Sequence, residues 1–158
     1  MSRAKQFWLM KVEPSAYTID DLERDGTTSW EGVRNYQARN LLRDEIKPGD
    51  GVLFYASNAD PSGVSGLAEV VRGGYPDPYQ FKKEHKYFDP KAKRDQPIWF
   101  AVDIEFVEKF AEVVALAELK ATKELGSMMV VKRGARLSVQ PVTKKEFEVV
   151  RRLGRASG

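Results

Sequence analysis

Between residues 79 and 95 aromatic and basic side chains alternate. Tyr79, Phe81, Tyr87 and Phe88 are interleaved with Lys82, Lys83, Lys86, Lys91, Lys93 and Arg94, and only Glu84, Asp89 and Asp95 oppose them. Cations suit phosphates and rings suit the faces of bases, so the segment has the composition of a nucleic-acid contact. The same composition describes a solvated loop whose rings tuck against the body of the protein. A second basic group, Lys132, Arg133 and Arg136, surrounds Gly134. A third, Arg151, Arg152 and Arg155, lies where cations complement the C-terminal end of a helix dipole.

The stretch "SWEGVRNYQARNLL" (Ser29 to Leu42) gathers a second set of groups. Trp30 and Tyr36 can frame a pocket, with Arg34 and Asn35 as its polar contacts. A purely structural reading is equally concrete: Trp30 packs as a staple, Asn35 caps the following helix, and Arg34 pairs with an acid such as Asp50 or Glu31.

Several chemistries lack their residues. The single histidine, His85, has no second histidine and no cysteine with which to hold zinc. No G-x-S-x-G elbow frames a serine, and neither a Walker A sequence nor G-x-G-x-x-G is present, so no nucleotide cofactor and no metal are expected. Without cysteine there is no disulfide framework, as in chains that stay in a reducing compartment. The apolar part of the N-terminus is cut short by Lys11 and Glu13 and does not make a signal peptide, and no run approaches a membrane span. A cytoplasmic protein, or a nuclear one in a eukaryote, is the expectation. Twenty-six Lys and Arg against 23 Asp and Glu give a net charge of +3, a bias that permits a polyanionic partner without requiring one.

The elements that must position these groups can be read from periodicity. At 158 residues, 42% hydrophobic and 31% charged, the chain is sized for one domain, residues 1–158, with a monomer as the expected state. "FWLMKVE" reads as a buried first strand, and Thr18 with Asp21 caps a short helix that Gly26 ends. Ala38, Leu41, Leu42 and Ile46 follow helical spacing behind Asn35, and "KPGD" is a turn. Gly51 to Gly73 reads as a hairpin, and "GYPDPYQFKKEHKYFDPKAKRDQP" as a long surface loop. In "IWFAVDIEFVEKF" Ile98, Phe100, Val102, Ile104 and Phe106 share one face of a strand, while Trp99, Asp103 and Glu105 lie off it. "LAELKATKELG" predicts a helix and "MMVVKRG" and "RLSVQPV" two strands. Thr143 with Glu146 caps a last helix that stops at Gly154. Five or six mostly antiparallel strands with three or four short helices predict a small barrel or strongly curved sheet with helices outside it.

Six segments in order, "WLMKVEP", "SWEGVRNYQARN", "KPGDGVLFYAS", "YPDP", "YFDPKA" and "RLSVQPVT", resemble the EVE domain family over Phe7 to Val150. The resemblance implies an α+β, PUA-like fold: a small curved β-barrel of mostly antiparallel strands with peripheral short helices. It also implies kinship with YTH and ASCH modules, whose pockets accept a nucleobase, and a role in reading modified bases such as methylated or hydroxymethylated cytosine in DNA. By position in the family pattern the pocket falls at Trp30, Val33, Asn35 and Tyr36, at Ser57 and Asn58, at Tyr75 and Pro76, and at Leu137 and Ser138. Trp30 and Tyr75 are its stacking candidates, and Asn35, Ser57 and Ser138 its edge donors and acceptors. Arg34, Lys132 and Arg133 are candidates for phosphate or base-edge contact. Ala56 stands where the pattern usually has histidine, which removes that group from the pocket rim.

A reader of this kind takes the base out of the stack, at a cost on the order of a few kcal/mol. Aromatic stacking returns roughly 1–3 kcal/mol per base, so rings and phosphate contacts together can offset extrusion. Two other functions remain open to the sequence. One is an enzyme acting on nucleic acid or nucleotides through metal and carboxylates such as Asp50, Asp77 or Asp89; the other is an RNA-binding module indifferent to modification.

Overall fold

In the computed structural model, which describes residues 4–134 and 136–156, six strands form one sheet in the order β2-β5-β4-β3-β1-β6. The strands are β1 (Phe7–Val12), β2 (Thr27–Trp30), β3 (Gly51–Ala56), β4 (Gly63–Pro76), β5 (Phe100–Ala115) and β6 (Val139–Val142). Only β1 and β3 pair in parallel. Four helices surround the sheet: α1 (Ile19–Asp25), α2 (Tyr36–Asn40), α3 (Leu116–Ala121) and α4 (Lys144–Ala156). This is the α+β, PUA-like architecture that the resemblance implies.

The apolar runs of β1 and β3 follow from burial on both faces, which removes the alternation of a half-exposed strand. Phe7, Leu9, Leu53 and Tyr55 point into one core with Phe110, Val114 and the α4 residues Phe147 and Val150. Trp8, Met10, Val52 and Phe54 point into the other with Leu22, Trp30, Leu42 and Ile104. Long β4 and β5 bend because their pairing slips at four places between Val64 and Tyr75. Beyond the paired ends of β4 and β5 a long connection runs from Asp77 to Trp99.

The helix caps form as the sequence predicts. Thr18 Oγ1 accepts from Asp21 N while Asp21 accepts from Thr18 N, and Thr143 with Glu146 repeats that exchange at α4. Asn35 Oδ1 accepts from Ala38 N at 2.9 Å, and α2 then loosens into a π turn over Leu41–Glu45. Among the described residues no helix is long and apolar enough to cross a membrane.

Four expectations need correction. "MMVVKRG" is not a strand; Met129–Val131 forms a 3-10 turn whose Val130, with Met128, fills the core. The strand expected over "RLSVQPV" is confined to Val139–Val142. Helix α4 does not stop at Gly154 but continues to Ala156; the glycine is a packing residue, since its position faces the ring of Phe110, where an added Cβ would meet carbons at 2.4–2.5 Å. β4 continues through Tyr75 and Pro76, so the first half of "YPDP" is strand, paired to Ala101 and Phe100. Strand β2 lies at an edge and carries two threonines and a serine, so it has no apolar run to announce it.

Candidate nucleic-acid interface

The turn after β2 is built around one buried carboxylate. Asp77 is fully buried; its Oδ2 accepts from Gly32 N at 2.8 Å and from Arg34 Nη1 at 3.0 Å, and its Oδ1 accepts from Tyr79 N at 2.8 Å. Arg34 also donates from Nε and Nη2 to the carbonyl of Tyr87 at 3.2 and 2.7 Å. Its guanidinium lies 5.2 Å from the Tyr87 ring centre and 5.4 Å from that of Trp99. Gly32 has φ +79°, and a Cβ there would strike the Tyr87 ring at 2.4 Å, so glycine is required twice over. Arg34 thus pairs with Asp77 rather than with Asp50 or Glu31, and it ties the β2–α2 turn to the connection between β4 and β5.

That connection is less of a surface loop than its composition implies. Gln80 is fully buried, and its amide bonds Asp77 O, Trp99 O, Ile98 N and Trp99 N. Trp99 is 5% exposed, donates Nε1 to Asp89 at 2.8 Å and stacks on Tyr36 at 4.9 Å. His85 stacks on Tyr79 at 4.0 Å and accepts from Tyr87 N at its Nδ1. The connection therefore presents Lys86 and Tyr87 from an ordered frame.

Between these parts lies a cleft of about 780 Å³, inside the roughly 300–1,000 Å³ range of small-ligand sites. Its walls are the end of β1 (Lys11 to Glu13), the segment before α1 (Ser15 to Tyr17), β2 with its turn (Thr28 to Arg34), Lys86, Tyr87 and Ser138. Lys11 is anchored by its amide to Ser138 O at 2.8 Å, and burial lowers its ammonium pKa. Lys86 Nζ lies 5.0 Å from the Tyr87 ring centre. Burial raises the Glu31 carboxyl pKa, with the charges of Asp77 and Asp103 adding to it and the Ser29 hydroxyl and His85 opposing it.

Four of the residues expected in the pocket, Trp30, Val33, Arg34 and Ser138, line this cleft. Trp30 is only 7% exposed and meets Phe54 edge-on, so it is as much core as wall. Asn35 is committed to its cap and Tyr36, 57% exposed, lies on Trp99 outside the cleft lining. Ser57 N donates to Val12 O and Asn58 Nδ2 donates to Glu13 Oε1, so both brace the cleft from behind β1. Pro76 is exposed at the end of β4, and Leu137 packs partly into the core.

Tyr75 also lies outside the lining; Arg72 covers its ring at 3.7 Å and its hydroxyl donates to Asp103 Oδ1 at 2.5 Å. Burial first, then that hydrogen bond, push the Tyr75 phenol from 10 up to about 12. An acid whose folded pKa is raised stabilises the fold fully below the unfolded value and loses that contribution as pH climbs through the folded one. Stability is therefore expected to fall between about pH 10 and about pH 12 in the native protein, and Tyr75→Phe to lack this step. Alkaline melting curves and a difference phenolate titration against Tyr75→Phe measure it.

Of the basic residues expected at the backbone, Lys86 alone lines the cleft. Lys82 sits over Tyr79 at 4.8 Å and Arg94 over Phe81 at 5.1 Å, while Lys83, Lys91 and Lys93 are exposed along the same connection. Lys132 and Arg133 are exposed beside the turn at Gly134. Arg151, Arg152 and Arg155 pair with Glu148, Glu124 and Glu108. The carboxylates considered for catalysis each support structure: Asp50 accepts from Trp8 Nε1, Gln6 N and Lys47 N, Asp77 from the turn, and Asp89 from Trp99. Lys11, Glu13, Tyr17, Ser29 and Glu31 were not singled out for the pocket by sequence. The one local signal was the abrupt change from apolar to charged residues at Lys11 and Glu13, where β1 leaves the core.

Comparison with known proteins adds four findings and a fold likeness. The model of the EVE domain matches residues 6–153. Human thymocyte nuclear protein 1 is 42% identical over 161 residues, which cover 90% of this chain and 71% of that protein. A solved structure of a hypothetical protein from Leishmania major superposes with a TM-score of 0.91 at 44% identity, covering 98% of this chain and 97% of the other. The crystal structure of human THYN1 protein in complex with 5-methylcytosine containing DNA superposes with a TM-score of 0.87 at 40% identity, covering 95% and 98% of the two chains. A YTH domain from Zygosaccharomyces rouxii, at 13% identity and a TM-score of 0.56, shares the fold.

Proposed function

The chain belongs to the EVE domain family, and from that premise we propose that it is a nucleic-acid-binding module that reads a modified base, methylated or hydroxymethylated cytosine in DNA, flipped into the cleft beside Trp30. The observation that carries this reading is the cleft itself: roomy enough for a nucleobase, walled by Trp30 and Tyr87, and flanked by Lys11 and Lys86. Its support from outside is the 40% identical human THYN1 protein, whose structure was solved with 5-methylcytosine containing DNA.

Rings in the wall return part of the extrusion free energy, and Lys82, Lys83, Lys86, Lys91, Lys93, Arg94, Lys132 and Arg133 supply cations for the phosphates. Tyr87 is the more exposed ring, half-buried where Trp30 is held in the core. The module acts without catalysis in this reading, consistent with the structural commitments of Asp50, Asp77 and Asp89. A nuclear setting, as the name of the human relative suggests, would bring it to its ligand.

The test is a titration of otherwise identical oligonucleotides carrying 5-methylcytosine, 5-hydroxymethylcytosine or cytosine, single-stranded and duplex, followed by fluorescence anisotropy. One modified form is expected to bind tighter than plain cytosine. Tyr87→Leu, which keeps apolar bulk but loses the ring, is expected to weaken binding by about 1–3 kcal/mol. Equal affinity for all forms would refute the reading and leave a binder indifferent to modification.

A further inference from the structure

We propose that Glu31 separates amino-bearing pyrimidines, cytosine and its 5-substituted forms, from thymine and uracil, by accepting a hydrogen bond from the exocyclic N4 amino group. This rests on the reading of the cleft as a base site and adds what the site selects. A pocket that accommodates a 5-methyl group faces a specific hazard, because 5-methylcytosine and thymine both carry that methyl. They differ on the pairing edge: cytosine offers an amino donor at position 4, thymine a carbonyl acceptor. Methyl recognition alone cannot tell them apart.

Glu31 is placed to do so. It lies at the end of β2 between Trp30 and Gly32 and lines the cleft. Its Oε2 accepts from Ser29 Oγ at 3.0 Å, which orients the carboxylate. Its Oε1 has no hydrogen-bond partner among the described residues, and no side-chain polar atom among them is both buried and unpartnered, so Oε1 reaches the solvent of the cleft. A carboxylate here works against phosphate, since like charges repel, so a backbone oxygen is the wrong ligand for it. An N–H on a base edge is the right one, and Glu accepting from cytosine N4 is an established pairing chemistry.

The surroundings act in the same direction. Burial and the nearby charges of Asp77 and Asp103 disfavour the ionised form of Glu31, whereas His85 and Ser29 favour it. A donor arriving from the ligand relieves that unfavourable balance; the O4 carbonyl of thymine would worsen it by setting acceptor against acceptor.

The experiment compares single strands that differ at one position, 5-methylcytosine, cytosine, thymine or uracil, against the full chain and Glu31→Gln. Single strands make the extrusion step similar for all four. The native protein is expected to prefer 5-methylcytosine to thymine about tenfold. Glu31→Gln can offer either a carbonyl or an amino group, so the ratio is expected to fall to about one while thymine binding improves or holds. Glu31→Ala is a second variant, expected to level the same ratio by weakening 5-methylcytosine alone. Melting curves of both variants guard against loss of fold.

A ratio that survives both substitutions, or a native protein that binds thymine as tightly as 5-methylcytosine, overturns the assignment. Should 5-methylcytosine bind no better than cytosine, the modified-base reading fails by itself. A cytosine-over-thymine ratio erased by Glu31→Gln would still support the role of Glu31.

Discussion

Asp77→Ala is expected to lower the free energy of unfolding by about 3 kcal/mol and to abolish ligand binding in the cleft. The carboxylate is completely buried, and its removal leaves the Gly32 and Tyr79 amides and one guanidinium N–H without their acceptor. Breaking a buried pair costs about 3–5 kcal/mol, chiefly through the partner left behind. Here the lower end applies, because the Arg34 side chain is 21% exposed and regains water. Urea denaturation followed by tryptophan fluorescence measures the loss. Binding is expected to fail for a geometric reason, since the turn bearing Glu31 and Gly32 and the segment bearing Lys86 and Tyr87 are joined through Asp77 and Arg34. Arg34→Lys is the companion test: a single ammonium cannot reach both Asp77 and the Tyr87 carbonyl as a planar guanidinium does, so this variant is expected to lose affinity as well. A stable Asp77→Ala protein with unchanged affinity would show that the two segments hold their places without the link.

The parts of the fold that announce themselves in the sequence are those determined by neighbours in the chain. The Thr18 and Thr143 capping boxes and the Asn35 cap are exchanges over three residues, and all three form. β1 and β3 are visible because strands buried on both faces must be apolar without interruption. What the sequence conceals is settled at a distance. Gly154 looks like a helix stop until Phe110, from β5, is seen to need its space. "MMVVKRG" carries apolar residues in a run too short to fix a period, and core packing of Met128 and Val130 selects a 3-10 turn. Strand β2 is polar because it is an edge.

The cleft divides along the same line. The resemblance drew attention to Trp30, Val33, Arg34 and Ser138, which the fold brings to one cleft, but it did not give Arg34 its partner. Asp77 lies 43 residues further on, and no local pattern marks it. Glu31 drew notice only as a possible counter-ion, because its open oxygen becomes meaningful only once β1, β2 and the connection after β4 are seen to enclose a common space. Charge distribution shows a related gap: the arginines of the C-terminal tail form a basic run in sequence, yet each pairs with a glutamate in the fold.

Gln80→Leu is expected to have an effect as large as that at Asp77, from a residue with no charge. One amide can make two donations and accept at two lone pairs, and Gln80 does all four inside the protein: Nε2 to Asp77 O and Trp99 O at 2.9 and 2.7 Å, and Oε1 from Ile98 N and Trp99 N, both at 2.9 Å. These bonds extend the β4–β5 pairing beyond the backbone bond from Asp77 N to Trp99 O, clasping the start of the connection to its end. Leucine has similar bulk but strands the two amides, while the two carbonyls keep only their backbone donors, Asp77 N and Gln80 N. Each buried group left without a partner costs about 1–3 kcal/mol, so a loss of about 2–6 kcal/mol is expected for the two amides together. Gln80→Glu retains the acceptor but sets a carboxylate oxygen against two carbonyls, so it is not expected to rescue. The loss should be felt first at the connection, since among the described residues none of its side chains belongs to the opposite core around Phe7, Leu53 and Phe147. Hydrogen exchange would then show the Ile98 and Trp99 amides opening well before those of β1 and β3. With Trp99 released, Asp89 and the guanidinium of Arg34 lose their indole partner, and Tyr87 is no longer held against Gly32. Binding in the cleft is therefore expected to weaken under conditions where the sheet is still folded, and uniform exchange across both cores would contradict this account of the loop as a separately clasped wall.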